Sequence, residues 1–125
     1  MAYSQRTDLE AIYGARNVER WADLDSSGNL EDIAARITYA ISVADAEIDS
    51  VLSGSPIKTP LDKVPTLLKI ISATLAGVFL YESRGAEGIT TDSGVIVHPY
   101  YFKRKWAQDV LTEIRDGRRR VPGII

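Results

Sequence analysis

The sequence predicts a mostly α fold: a small helical bundle around one central buried helix, with an inserted β-hairpin and an extended C-terminal tail. Three observations lead there. Apolar residues recur at three- and four-residue steps over 30–52. The segment 66–82 is apolar on nearly every face. Two short β-branched runs, Ile89-Thr90-Thr91 and Val95-Ile96-Val97, flank the turn-forming Asp92-Ser93-Gly94. The chain has 125 residues, 45% of them hydrophobic and 26% charged, which suits one modest core. The expected layout is a helical domain over 1–117, with the hairpin inserted at about 83–98, then a tail over 118–125.

Taken in order, Thr7-Asp8-Leu9-Glu10 reads as a capping box. The Thr7 hydroxyl accepts from a free N–H and Glu10 reaches back. The short helix it opens stops at Gly14, where a left-handed cap costs little. A second short helix, over about 16–22, turns Val18 and Trp21 inward. Asn29 opens the longest helix. Leu30, Ile33, Ile37, Ala40, Ile41, Ala44, Ile48, Val51 and Leu52 form its apolar stripe, and Glu31, Arg36, Ser42, Asp45 and Asp49 its solvated face. Ser53-Gly54-Ser55-Pro56 ends it, and Pro56 and Pro60 mark a loop.

Pro65 suits the first turn of the next helix, because its missing N–H has no partner there anyway. This helix is expected to be the most buried, with Ala73, Ala76 and Gly77 admitting a close neighbour. The β-branched runs form a hairpin that needs a surface to pack on. Pro99 starts a last helix with Phe102, Trp106, Val110 and Ile114 inward, and Gly117 caps it. The expected centre of the core is Leu68, Ile71, Leu75, Val78 and Phe79, with Ile37, Ile41, Ile48, Trp106 and Val110 around it. The run Arg118-Arg119-Arg120-Val121-Pro122-Gly123-Ile124-Ile125 has no helical pattern and is expected to be extended and unfolded by itself.

Composition excludes several chemistries. There is no cysteine, so disulfides and thiolate metal sites are out. His98 is the one histidine, which excludes a site needing two. The opening Met1-Ala2-Tyr3-Ser4-Gln5-Arg6 has no apolar stretch behind its charge, unlike a secretory signal. The longest apolar run, Leu67 to Tyr81, contains Lys69 and falls short of the roughly 20 residues a bilayer requires. A cytoplasmic chain without membrane contact is expected. Net charge is −2. Residues 1–55 carry Arg6, Arg16, Arg20 and Arg36 against ten acids, a net of −6. Residues 98–125 carry seven bases against Asp109, Glu113 and Asp116, a net of +4. Either this is scatter over a solvated surface, or the subunit has an acidic and a basic side suited to head-to-tail packing.

Asp23-Leu24-Asp25-Ser26-Ser27-Gly28-Asn29-Leu30 resembles the start of a calcium-binding EF-hand loop. The bidentate glutamate such a loop ends on is replaced by Ala34, so a tight Asx-type turn is the expected reading, with no metal bound. Asp45, Glu47 and Asp49 are helical carboxylates, but nothing in the sequence places them in a pocket that would perturb a pKa. The glycines 85, 88 and 94 lack phosphate-loop spacing. Catalytic residues and cofactors are therefore not expected. Lys103-Arg104-Lys105 and Arg118-Arg119-Arg120 are the basic clusters, near Tyr100, Tyr101 and Trp106. They suit either a solvated face or contact with DNA inside a larger assembly.

The order of these pieces resembles the Mu-like phage and prophage head–tail connector family over about residues 1–82. The marks are Met1-Ala2-Tyr3, Thr7-Asp8-Leu9-Glu10, Tyr13-Gly14, Asp23 to Gly28, Ala44-Asp45-Ala46-Glu47-Ile48-Asp49, Pro65-Thr66-Leu67-Leu68-Lys69-Ile70 and Tyr81. The last helix, Tyr101 to Gly117, is similar in type. Residues 83–98 depart from the family, which is expected to have a shorter link there. The resemblance implies a non-enzymatic adaptor in the virion neck that joins portal to tail, assembled in the host cytoplasm. It implies a ring, commonly of twelve copies, that also meets a downstream neck or tail-completion protein. Its C-terminal segment engages the portal, here Arg118, Arg119, Arg120, Val121, Pro122 and Ile124. Contacts between copies are expected at Ile89, Val95, Val97, Lys103, Arg104 and Lys105. The alternatives are a tail-completion or terminator protein and a small helical regulatory or DNA-contacting protein.

Overall fold

A computed structural model describes residues 2–55, 57, 63–84, 89–90, 96–119 and 121. Five helices carry the fold: α1 (Arg6–Tyr13), α2 (Ala15–Ala22), α3 (Leu30–Leu52), α4 (Thr66–Ser83) and α5 (Tyr101–Arg115). Between α4 and α5, β1 (Ile89–Thr90) and β2 (Ile96–Val97) pair antiparallel, Ile89 opposite Val97 and Thr90 opposite Ile96.

Helix α4 lies at the centre and touches all four other helices. Ten of its residues are buried, from Leu68 to Leu80, and Ser72 and Thr74 are among them. A helix apolar all round belongs inside a packed core, so this packing accounts for a segment apolar enough to resemble a membrane span. Gly77 sets the closest approach. A Cβ there would lie 2.0 Å from Cε2 of Tyr13, because the tyrosine ring rests on the glycine backbone. The Tyr13 hydroxyl then donates to the Thr74 carbonyl at 2.7 Å.

The ends of the helices are held by local chemistry. The cap of α1 is Gln5, two residues before the expected Thr7, and the Gln5 N–H donates to the Asp8 carboxylate at 2.8 Å. Gly14, at φ +90°, turns α1 directly into α2. Between α2 and α3, the Asp23 carboxylate accepts from the backbone N–H of Ser27 at 3.1 Å and of Gly28 at 3.0 Å. The acidic loop thus bonds local N–H groups as expected, but four and five residues on rather than the two of an Asx turn. Arg84, at the end of α4, locks the turn from outside by donating to the carbonyls of Arg20 and Asp23 and to the Ser26 hydroxyl. Asn29 caps α3 by accepting from Glu31 and Asp32.

The predicted fold class needs correcting. The fold is α-helical, and the inserted β-hairpin is not the structural element expected: among the described residues strand pairing is confined to two residue pairs. β-branched residues favour extended backbone, but pairing this short has little stability of its own. Residues 85–88 and 91–95 lie outside the described residues.

The extended tail is corrected as well. After Gly117, at φ +75°, the chain folds back: the N–H groups of Arg118 and Arg119 donate to the Glu113 carbonyl at 2.8 and 3.3 Å. Val121 is 4% exposed and belongs to the core. Val121 thus belongs to the folded body, which a count of apolar tail residues does not reveal; residues 120 and 122–125 lie outside the described residues.

Helix α5 is rotated from its expected register. Its inward face is Ala107, Val110, Leu111 and Ile114, while Trp106 and Phe102 are 43% and 67% exposed. Small Ala107 lets α5 approach the bundle, and the neighbouring aromatic stripe is left outside. Phe79 is half-buried rather than central, with its ring against Tyr39 and under Arg36. Leu30 heads the stripe of α3 but sits beyond the core and is exposed.

The Gly77 contact is testable. Gly77→Ala should destabilise the fold by about 1–3 kcal/mol despite its better helix propensity, because the methyl must displace the Tyr13 ring. Urea denaturation of wild type and variant measures this, and equal midpoints would mean that the ring can move aside freely.

Candidate functional site

The outer face of α5 combines charge with aromatic surface. Phe102 and Trp106, one turn apart, project with Lys103 and Lys105 beside them. Ile12 of α1 and Ile70 and Thr74 of α4 complete an open groove of about 470 Å³ against Phe102, Lys103 and Trp106. Contiguous exposed apolar surface on a small protein marks an interaction site. The sequence grouped Phe102 with Trp106 but assigned them to the core. The competing stripe Ala107-Leu111-Ile114 was the signal that they face outward.

The expected contact residues fall into different situations. Lys103 is exposed, and Lys105 pairs with Asp109 at 3.2 Å on the surface, where such a pair adds little stability. Arg104 is turned inward and pairs with Glu82. The other Glu82 oxygen meets Nε2 of buried His98 at 3.0 Å, and Nδ1 of His98 accepts from the Tyr100 N–H at 3.2 Å. The accepting Nδ1 places the ring proton on Nε2, directed at Glu82. The His98 ring also lies against Tyr81, within an edge-to-face aromatic group formed with Tyr13, Trp21 and Tyr100. Glu82, His98 and Arg104 thus join the link after α4 to the start of α5.

Arg118 and Arg119 are engaged within the chain. Arg119 pairs with Glu113 at 2.8 Å, and Arg118 with Asp116 at 3.3 Å. Arg115 bonds the same aspartate at 3.0 Å and, with Arg118, holds its carboxyl below the usual range. Val121 is buried. Arg120, Pro122, Ile124 and Val95 lie outside the described residues, and Ile89 and Val97 are described at their backbone.

The carboxylates of α3 are not the purely solvated face the sequence suggests. Asp45 is half-buried and accepts from the Tyr3 backbone N–H at 3.0 Å and the Ser72 hydroxyl at 2.7 Å. Ser4 joins through Ser72 at 2.7 Å, and the Tyr3 hydroxyl donates to Asp49. The network clamps the N-terminal segment over α3 and α4, beside an open cavity of about 660 Å³. Burial pushes the Asp45 carboxyl above its ordinary range, against the lowering effect of its two hydrogen bonds. Burial and then the Asp49 hydrogen bond push the Tyr3 hydroxyl up. No spacing rule announces this network, because its donors come from residues 3, 4 and 72.

The two buried features give two expectations. A group whose folded pKa exceeds its unfolded value adds stability at low pH and loses it as pH rises through the folded pKa. Asp45 is such a group, so wild type should gain stability relative to Asp45→Asn as pH falls from 7 toward 4. Urea midpoints measured across that range check this, and a gain on raising the pH would reverse the assignment. Val121→Ala should cost on the order of 1–3 kcal/mol. A substitution without effect on the melting temperature would mean that Val121 is not part of the core.

The chain matches the family model described as Bacteriophage Mu, Gp36 over residues 3–123. No curated protein matches it. The match spans α1 to α5 and the buried Val121, so the chain belongs to the bacteriophage Mu Gp36 family and is a Mu-like phage protein.

Proposed function

We propose that this phage protein is a structural head–tail adaptor. Copies form a ring in the virion neck that docks on the portal and links the capsid to the tail. The observation that carries the reading is the pair of unlike surfaces on a small chain of this family. The N-terminal half is acidic, and α5 presents lysines beside exposed Phe102 and Trp106. A subunit packed between different neighbours needs such surfaces.

The polar groups support a structural role. Asp45 and Asp49 hold the N-terminal segment, Asp23 holds a turn, and Glu82 ties His98 to Arg104. Each is engaged in shaping the fold, and catalysis forms no part of the proposal. The portal contact is assigned to the C-terminal segment, with Arg118 and Arg119 exposed before the buried Val121 and Pro122 and Ile124 after it. The body of each copy meets its neighbours and the downstream neck protein.

Heads made without this protein should be filled but tailless, and the purified chain should restore joining. Electron microscopy of the restored neck should show a ring between portal and tail. Density at the far end of the tail tube instead would identify a terminator and refute the adaptor reading. Truncation after Val121 should keep the core intact and abolish binding to portal-bearing heads. If the shortened chain docks as well as the full one, the helical body supplies the portal contact.

A further inference from the structure

Among the described residues, the groove formed by α1, α4 and α5 has no occupant. Ile70, Phe102 and Trp106 are 41%, 67% and 43% exposed around it. Lys103 lines the groove, and Lys105, bonded to Asp109, is exposed three residues on from Phe102, so α5 brings positive charge to the apolar surface. A ligand for it needs apolar side chains flanked by carboxylates.

The chain carries such a feature on other elements. At the corner between α2 and α3, Leu24 and Leu30 are exposed, and Leu30 is the most exposed large apolar residue at 70%. Asp25, Glu31 and Asp32 are exposed beside them. The corner is preorganised: Asp23 accepts from Ser27 and Gly28, Asn29 caps α3, and Arg84 fastens the loop to α4. A fixed protrusion loses little conformational freedom on docking.

We propose that the groove lined by Ile70, Phe102 and Trp106 receives the Leu24–Leu30 corner of a second copy of this chain. The inference rests on the ring reading above and names the surfaces that meet in it. Charge decides the geometry. A symmetric contact, groove on groove, would bring two lysine rims together. The head-to-tail contact sets Lys103 and Lys105 against Asp25, Glu31 and Asp32 of the next copy, and like-charge pairing is what selects against wrong docking. A contact between two different patches leaves a pair of copies with one free groove and one free corner, so it propagates, and closes into a ring where the rotation between copies allows.

The chain has no cysteine, so introduced thiols report without background. The full chain carrying both Leu30→Cys and Phe102→Cys, assembled on portal-bearing heads and mildly oxidised, should give a ladder of covalent species beyond the dimer. Either single variant should stay monomeric, because a disulfide demands close Cβ atoms. A covalent dimer from Phe102→Cys alone would show the groove meeting itself and overturn the pairing. Rings visible on the heads without a ladder would also overturn it, leaving the ring reading intact and the groove to another protein. Absence of any ring would remove the ring reading and this inference together. As a second measurement, Glu31→Lys with Asp32→Lys should lower assembly on the order of tenfold or more. Adding Lys103→Glu and Lys105→Glu to the same chain should restore it. Failure of this rescue in a variant with wild-type helix content would count against the charge match.

Discussion

The fold depends on covering one helix that has no polar side. α4 is apolar around its circumference, so it is stable only when neighbours surround it. Every other helix answers to that requirement. α3 packs along it with Ile37, Ala40, Ile41, Ala44 and Ile48. α1 comes close enough to lay Tyr13 on Gly77, and α2 follows at once because Gly14 permits the turn. α5 closes the bundle through Ala107, Val110, Leu111 and Ile114, and Val121 joins the same core. Small residues at these contacts, Gly77 and Ala107 among them, decide how near the covering helices approach, and hence which of their side chains are left outside.

The helices were legible because their signals are local. The stripe of α3, the Asn29 cap, Gly14 and Gly117 each act within a turn or two, and the periodicity of 30–52 admits no other element. What failed depends on comparing alternatives or on distant partners. On α5 the expected stripe 102-106-110-114 runs inward only from Val110 on, and Ala107 and Leu111 take the places given to Phe102 and Trp106. Packing against a crowded centre favours the stripe that begins with alanine. The β-branched runs near 89–97 carry strand propensity, but propensity alone does not build a sheet without further strands. Val121 is buried because a turn after Gly117 redirects the chain, and that turn rests on bonds to the Glu113 carbonyl. The Asp45 network joins residues 3, 4, 45, 49 and 72, a grouping that only the tertiary structure creates.

The same distinction separates structural from available charge. Arg104 sits between lysines in sequence, yet it alone of the three turns to Glu82, which also receives the His98 ring proton. Glu82 is thereby shared by two bases where the chain enters α5. Arg84 is likewise spent on the α2–α3 corner. The basic clusters read from sequence therefore overstate the positive surface. After these pairings, Lys103 lines the apolar groove, and Lys105 lies on the same helix bonded to Asp109.

The size of that groove bears on how copies would associate. Fully burying a large apolar side chain is worth about 1.5–3 kcal/mol. Phe102, Trp106 and Ile70 are already partly covered, so their further burial returns only part of that each. Association costs an estimated 4–15 kcal/mol in lost translational and rotational freedom. One groove-and-corner contact, even with its charges matched, is therefore close to break-even, and free copies in dilute solution would remain largely apart. Fixing copies side by side on a symmetric platform changes the balance. Each neighbour then arrives at high effective concentration, and much of the association cost has been met by docking. Closing the ring adds a contact without adding a subunit, which makes the complete ring more stable per copy than any open arc. A weak lateral contact combined with a separate docking segment thus makes assembly conditional on the platform. In a protein proposed to join heads to tails, that keeps rings from forming where no head is present.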